Sequence, residues 1–256
     1  MRINLIPMAG EGQRYRQAGY STPKPLIDVA GVPMIVRSAK ALPPADRWVF
    51  VCRESHLRTV NLEEVLRSNF ESVEIVALDR KTEGQAITCL MAREYIPAEA
   101  ILTIGACDYD MVYDTSKVRL WLDDQATEGW IWTFRANPVV LQDPRMYGWV
   151  ETAADGLAAL RVSCKVPISK EPLDDHAIIG TFTFKKAQVF FDAVEAMVRA
   201  DRRINGEFYV DVAADHAIRA GRRMRVFEVE HYIGWGTPQD LDLYNYWRSY
   251  FSQRGL

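Results

Sequence analysis

The sequence predicts an α/β fold with a mixed, mostly parallel central sheet. Three observations carry this. Short apolar runs of strand character alternate with helix-periodic segments through the first half. The second half turns to longer strand-like runs before helices return. Finally, a 256-residue chain that is 48% hydrophobic can bury a large core.

The first strand is INLIP (3–7), followed by RWVFVCR (47–53), SVEIVALD (72–79) and AILTIGACD (100–108). Between them lie helical segments at 34–41, 57–70 and 85–95. In the last of these Ile87, Leu90, Met91 and Glu94 follow three- and four-residue steps. Such alternation gives a parallel sheet wrapped by helices, with ligands gathering outside the carboxyl ends of the strands. GWIWTFRA (129–136), YGWVET (147–152) and HAIIGTFTF (176–184) extend the sheet, with an irregular stretch at 163–175. Helices follow at 187–200 and 210–220, then a strand at MRVFEVE (224–230). In the closing helix, TPQDLDLYNYWRSYFSQ (237–253), Thr237 is the cap, Pro238 fits the first turn and Asp240 favours the helix dipole. Its Leu241, Tyr244, Trp247 and Phe251 recur at helical spacing and are expected to pack on the core, with a homo-oligomer interface as the sharper reading. With no repeat or Pro/Gly/Ser-rich linker, one domain over 1–256 is expected.

The net charge of −3 excludes a general nucleic-acid binder, whose affinity would come from neutralising phosphates, but leaves room for a small anion in a local basic pocket. Cys52, Cys89, Cys107 and Cys164 form no Cys-x-x-Cys pair and read as buried free thiols, which suits a reducing cytoplasm. The N-terminal apolar run is too short for a signal peptide, and no run approaches the ~18 apolar residues of a membrane span. His56, His176, His216 and His231 have no paired metal-ligand spacing, no G-x-S-x-G elbow occurs, and Arg219, Arg222, Arg223 and Arg225 read as a solvated basic face.

The informative stretch is IPMAGEGQRYRQAGYSTPKPLIDVAGVPMI (6–35). After a buried strand, Gly10 and Gly12 let successive N–H groups converge on a phosphate, while Arg14 and Lys24 add cationic donors. Residue 15 is Tyr, so this is not the dinucleotide fingerprint G-x-G-x-x-G, and no P-loop occurs.

The order Gly10, Gly12, Arg14, then Pro23-Lys24-Pro25-Leu26, then Val29, Gly31 and Pro33-Met34-Ile35 resembles the signature of the sugar nucleotidyltransferases. That family of pyrophosphorylases joins a sugar 1-phosphate to a nucleoside triphosphate. TEGQA (82–86), TIGACDYD (103–110), YGWVE, SCK, GTF and GWGTPQDL continue the resemblance over nearly the full length, and small capsule-pathway cytidylyltransferases look most alike. The resemblance implies a Rossmann-like three-layer sandwich of GT-A-like type. It also implies a nucleoside triphosphate, CTP or UTP favoured, a small phosphorylated acceptor, Mg²⁺, and neither nucleic acid nor membrane as partner.

By the same resemblance, Met8, Ala9, Gly10, Glu11 and Gly12, with Gly84 and Gln85, would hold the nucleotide. Arg14 would grip the β- and γ-phosphates through its fork, and Lys24 would be aimed at the α-phosphate by its flanking prolines. Lys165 would contact the acceptor phosphate, with Lys170 as rival. Asp108 would hold Mg²⁺, and because the family's second aspartate is here Gly234, either Asp110 or Asp211 would assist it or the metal site would be weaker than in the family. Tyr147, Gly148, Gly180 and Glu207 would line the acceptor pocket. Two other classes stay open: a glycosyltransferase using Asp108 and Asp110 as a D-x-D motif, and a catalytically silent nucleotide-binding module.

Overall fold

A computed structural model describes residues 1–255. Its centre is β1 (Arg2–Met8), which pairs in parallel with β4 (Arg47–Arg53) and β6 (Ile101–Ile104), while β4 carries β5 (Val73–Leu78) as a parallel edge. The two-residue period of a strand sends alternate side chains to opposite faces. Ile3 and Leu5, with Val49 and Val51, join one core, and Ile6 and Met8, with Phe50 and Cys52, join the other. The first core is covered by α5 (Gln85–Leu90), α7 (Ala187–Arg199) and α8 (Val210–Arg219). The second lies under α2 (Met34–Lys40), α4 (Leu62–Asn69) and α6 (Thr115–Asp123). The result is the three-layer α/β architecture expected from the sequence.

The second half makes the sheet mixed. β11 (His176–Phe184) runs antiparallel to β6, to β8 (Gly129–Phe134) and to β9 (Gly148–Thr152). β10 (Ala159–Cys164) pairs antiparallel with β9, and β12 (Met224–Glu228) pairs parallel with β8. β11 changes neighbours partway along: His176 and Ala177 pair with β9, whereas Phe182 to Phe184 pair with β6. The register slips between Ile178 and Phe182, where Gly180 takes a left-handed φ of 86°. A slip of this kind bends a strand and re-aims its side chains, and here it opens the sheet beside the cavity described below.

Several local expectations change. The predicted helix 57–70 is two helices, α3 (Glu54–Thr59) and α4, parted where Val60 is extended at φ −140°, ψ 152°. A β-branched valine resists the helical rotamer, and Asn61 restarts the helix as its cap. The segment 85–95 is helical only to Leu90 and ends in a 3₁₀ turn, Arg93–Tyr95. β10 was not among the expected strands, and its end at Cys164 shortens the stretch read as irregular. Two small antiparallel pairs escaped notice, the tight pair β2 (Asp28–Val29) with β3 (Val32–Pro33), and the long-range pair β7 (Tyr109–Val112) with β13 (His231–Gly234). So did α6, although Asp114 caps it through the Ser116 N–H.

The closing helix α9 (Pro238–Gln253) has the expected cap: Thr237 and Asp240 form a reciprocal capping box. Its apolar stripe packs on the core only in its first half, where Leu241 joins a small cluster with Tyr15, Met34 and Trp235 and Tyr244 lies against it. Only Pro238 and Leu241 are buried, while Trp247 and Phe251 are 48% and 45% exposed. The four cysteines are free, and Cys52, Cys89 and Cys164 are buried. Among the described residues no helix is long and apolar enough to cross a membrane.

Candidate active site

The loops leaving the carboxyl ends of β1 and β6 reach a cavity of about 690 Å³. Beyond β1, Gly10 is exposed and Gly12 holds a left-handed φ of 61° as it starts α1 (Gln13–Gln17). A Cβ at Gly12 would stand 3.1 Å from the Lys24 Cβ, so this glycine permits both the turn and the approach of the Pro-Lys-Pro segment. Among the described residues the N–H groups of Gly10 and Glu11 have no protein acceptor. Glu11 instead directs its carboxylate to Arg53, 3.5 Å away. Met8 and Ala9 are buried at the strand end.

Arg14 lines the cavity without a carboxylate partner among the described residues, and its Nη2 lies 3.6 Å from the Met146 Sδ. From the far end of β10, Lys165 lines the same cavity and donates to the Met146 carbonyl at 2.6 Å. Its backbone is left-handed at φ 67°, and its ammonium stands 5.6 Å from the Tyr209 ring centroid. Two cations from distant segments thus converge on Met146, a residue the sequence reading did not single out. Lys170, the rival of Lys165, is exposed and does not line the cavity.

Lys24 occupies a 3₁₀ turn, Lys24–Leu26, and places Nζ 2.5 Å from Asp108 Oδ2. The Tyr15 ring lies beneath the ammonium at 5.7 Å. Burial opposes the lysine's charge, but the Asp108 carboxylate outweighs it and holds the ammonium above its ordinary pKa. Trp235 N–H donates to the Asp108 carbonyl at 2.6 Å, tying the β6 loop to the segment before α9. At Gly236 an added Cβ would stand 3.7 Å from Asp108 Oδ2 and 4.0 Å from Arg14 Nη1, so the missing side chain leaves space between the two.

Asp108 and Asp110 are parted. Asp108 lines the main cavity, whereas Asp110 lies in a second pocket, 3.6 Å from Arg37, with Oδ1 accepting from the Met111 N–H. The joint metal site expected from Asp108 and Asp110 is therefore corrected, and the D-x-D arrangement loses its second carboxylate in the same way. Nor is there room for an acidic side chain at Gly234, because its Cβ would fall 2.7 Å from the Tyr232 hydroxyl. That tyrosine is stacked on Phe134, with centroids 4.5 Å apart. Among the described residues no three His, Cys, Asp or Glu side chains gather as a metal cage. Of the other carboxylates on the cavity, Asp240 is engaged in the helix cap and Asp211 lies beside Lys165 and Gly148. A magnesium ion that keeps waters and takes phosphate oxygens from its substrate needs only one or two carboxylates, and Asp108 alone fits that requirement.

Tyr147, Gly148 and Gly180, named for the acceptor, line the cavity, and so does Gln85, named for the nucleotide. Burial pushes the Tyr147 hydroxyl up to about 12. Gly84 and Glu207 do not line it, nor do Met8, Ala9, Gly10, Glu11, Gly12 or Lys24, which stand at its edge beside Arg14 and Asp108 or beyond it. Gly84, at φ 134°, lies against the backbone of Phe208, where an added Cβ would be 2.5 Å from both N and O. Phe208 N–H donates to Glu83 and Ala86 N–H to Phe208, so this glycine serves a backbone crossing rather than a ligand. Glu207 points outward to Lys81 at 3.2 Å. The carboxylate next to the acceptor-side residues is Asp211, four positions later.

No protein-family model and no curated protein matches the chain. Solved structures do. One is a nucleoside-diphosphate-sugar pyrophosphorylase from Vibrio cholerae RC9, 19% identical over 94% of this chain and 98% of that one, with a TM-score of 0.74. The inositol-1-phosphate CTP transferase of T. maritima is 16% identical over 96% and 94%, also with a TM-score of 0.74. A UDP-glucose pyrophosphorylase from Acinetobacter baumanii is 13% identical over 95% and 92%, with a TM-score of 0.71. At such identities the likeness is one of fold, and it runs the length of both chains.

Proposed function

We propose that the chain is a nucleotidyltransferase that moves a nucleoside monophosphate from a nucleoside triphosphate to a small phosphorylated acceptor, a sugar 1-phosphate, and releases pyrophosphate. The observation that carries this reading is the convergence of Arg14 and Lys165 on Met146 at one cavity, with the Lys24–Asp108 pair beside Arg14. Two cations that form no ion pair among the described residues, brought by separate segments, suit two anionic substrates better than one. The names of the solved neighbours support the reading. Those names differ in base, so CTP or UTP is proposed from the resemblance alone.

In the proposed reaction an acceptor phosphate oxygen forms a bond to the α-phosphorus. The bond from that phosphorus to the bridging oxygen breaks, and its electron pair leaves on pyrophosphate. An ionised phosphate needs no general base, so the protein's work is alignment and charge stabilisation. The free N–H groups at Gly10 and Glu11, with the Arg14 fork, would hold the tail that leaves. Lys24 would turn from Asp108 to the α-phosphate, and Lys165 would hold the attacking phosphate. Mg²⁺, when bound, would add positive charge at the transferred group from Asp108. The cytoplasm and capsule precursor supply are the setting this chemistry suits.

The test is a panel of the four nucleoside triphosphates against several phosphorylated acceptors. One pair is expected to release pyrophosphate in step with a nucleotide-linked product. Release of nucleoside diphosphate instead, or of nothing from any pair, would overturn the reading.

A further inference from the structure

Asp211 is a carboxylate without a protein explanation. It lies in the first turn of α8 and lines the cavity, and its only hydrogen-bond donor among the described residues is its own N–H. Burial raises its carboxyl above the ordinary range, while Lys165 pulls the other way. Lys165 gives its hydrogen bond to the Met146 carbonyl, leaving only its charge for Asp211. The space Asp211 occupies is cleared for it: a Cβ at Gly148 would fall 2.2 Å from Oδ1. Asp211 is half-buried on the cavity wall, so its oxygens take their hydrogen bonds from whatever fills the cavity, solvent or ligand.

The same cavity has an unexplained wall. Tyr244, Trp247, Arg248 and Phe251 share one stripe of α9 at three- and four-residue steps, and all four line it. Trp247 and Phe251 stack at 6.1 Å with their planes 29° apart. The helix is fixed against the β1 turn, since the Tyr15 hydroxyl lies 2.8 and 2.9 Å from the carbonyls of Trp235 and Thr237. The half-exposed rings therefore stand on a held element that faces the cavity.

Resting on the reading above, we propose that Asp211 and Trp247 determine acceptor specificity: Asp211 accepts hydrogen bonds from ring hydroxyls and Trp247 stacks on an apolar ring face. The acceptor class is then a cyclic polyol phosphate, a sugar or cyclitol, and not an open-chain phosphate ester. Ring hydroxyls paired to this half-buried carboxylate favour a ligand that carries them over one that does not, and aromatic walls supply apolar contact while a few polar groups set orientation.

Calorimetric titration tests this without turnover. The probes are glucose 1-phosphate and inositol 1-phosphate as cyclic ligands, with glycerol 3-phosphate and phosphocholine as open-chain ones. At least one cyclic probe is expected to bind tenfold more tightly than either open-chain probe. Asp211→Asn and Trp247→Ala should each weaken it at least tenfold while leaving nucleoside-triphosphate affinity within twofold. Asn245→Ala, exposed on α9 and outside the cavity lining, should change neither affinity. The proposal is overturned if an open-chain probe binds best, if Asp211→Asn leaves the cyclic probe unaffected, if either variant weakens the nucleotide instead, or if Asn245→Ala matches Trp247→Ala. Cyclic-phosphate binding through Asp211 with no pyrophosphate from any pair would sink the nucleotidyl-transfer reading and spare the subsite. Pyrophosphate formed only with an open-chain acceptor would do the reverse.

Discussion

Lys24 Nζ lies 2.5 Å from Asp108 Oδ2, joining the Pro-Lys-Pro turn to the end of β6 across 84 residues of sequence. Both side chains are mostly covered, 18% and 24% exposed, so each neutralises a charge that the other would leave stranded. Lys24→Ala and Asp108→Asn are each expected to cost about 1–3 kcal/mol of stability, and the double variant less than their sum. Turnover should fall about a hundredfold or more in every case, because each change removes charge at the transferred group. Urea unfolding of the four proteins in the cycle and initial rates of pyrophosphate release check both parts. Additive stability losses would show that the two groups do not interact.

Arg14 meets no carboxylate among the described residues, only the Met146 sulfur. Its planar fork is thus free for two phosphate oxygens, a geometry an ammonium lacks. Arg14→Lys is expected to lower kcat/KM for the nucleotide roughly tenfold, about 1.4 kcal/mol, without altering stability. Steady-state kinetics with the nucleotide varied read this out, and wild-type kinetics in the variant would remove Arg14 from the site.

Gly84 is required by the backbone. At φ 134°, with an added Cβ 2.5 Å from Phe208 N and O, Gly84→Ala combines strain with overlap. The expected destabilisation is about 2–3 kcal/mol or more by urea unfolding. A nearly neutral change would mean that the TEGQA loop is not held against Phe208 as described.

His176 is 6% exposed, its Nδ1 lies 2.9 Å from the Thr133 hydroxyl, and burial followed by the charge of Arg135 brings its pKa to about 4. An unfolded chain takes up this proton near 6.5 while the native ring refuses it until about 4. Stability therefore falls as pH drops between those values, by up to about 3 kcal/mol from this group, and is unaffected by it above pH 7. His176→Gln should unfold with a shallower loss of stability between pH 6.5 and 4. Equal slopes in the two proteins would contradict the neutral buried ring.

Much of this architecture was legible because strands buried on both faces leave continuous apolar runs, as in β1, β4 and β11. Arg14, Asp108 and Lys165, which meet on one cavity, were singled out through the family resemblance rather than through strand ends, since Lys165 follows β10, a strand the sequence reading missed. Met146 was not, because its partners stand 132 and 19 positions away and only the topology unites them. Asp110 misled because two residues in a strand share a face only where the strand is regular, and Asp108 precedes β7. The stripe on α9 has the period of a core-facing helix, and periodicity cannot tell a face that meets a core from one that meets a cavity.

The most direct measurement follows the oxygen. With ¹⁸O in the acceptor phosphate and the nucleotide partner found by the panel, mass spectrometry of the products locates the label. Attack by the acceptor on the α-phosphorus predicts all of it in the nucleotide-linked product and none in pyrophosphate. Label in the pyrophosphate, or an unlabelled nucleotide product, would contradict the account.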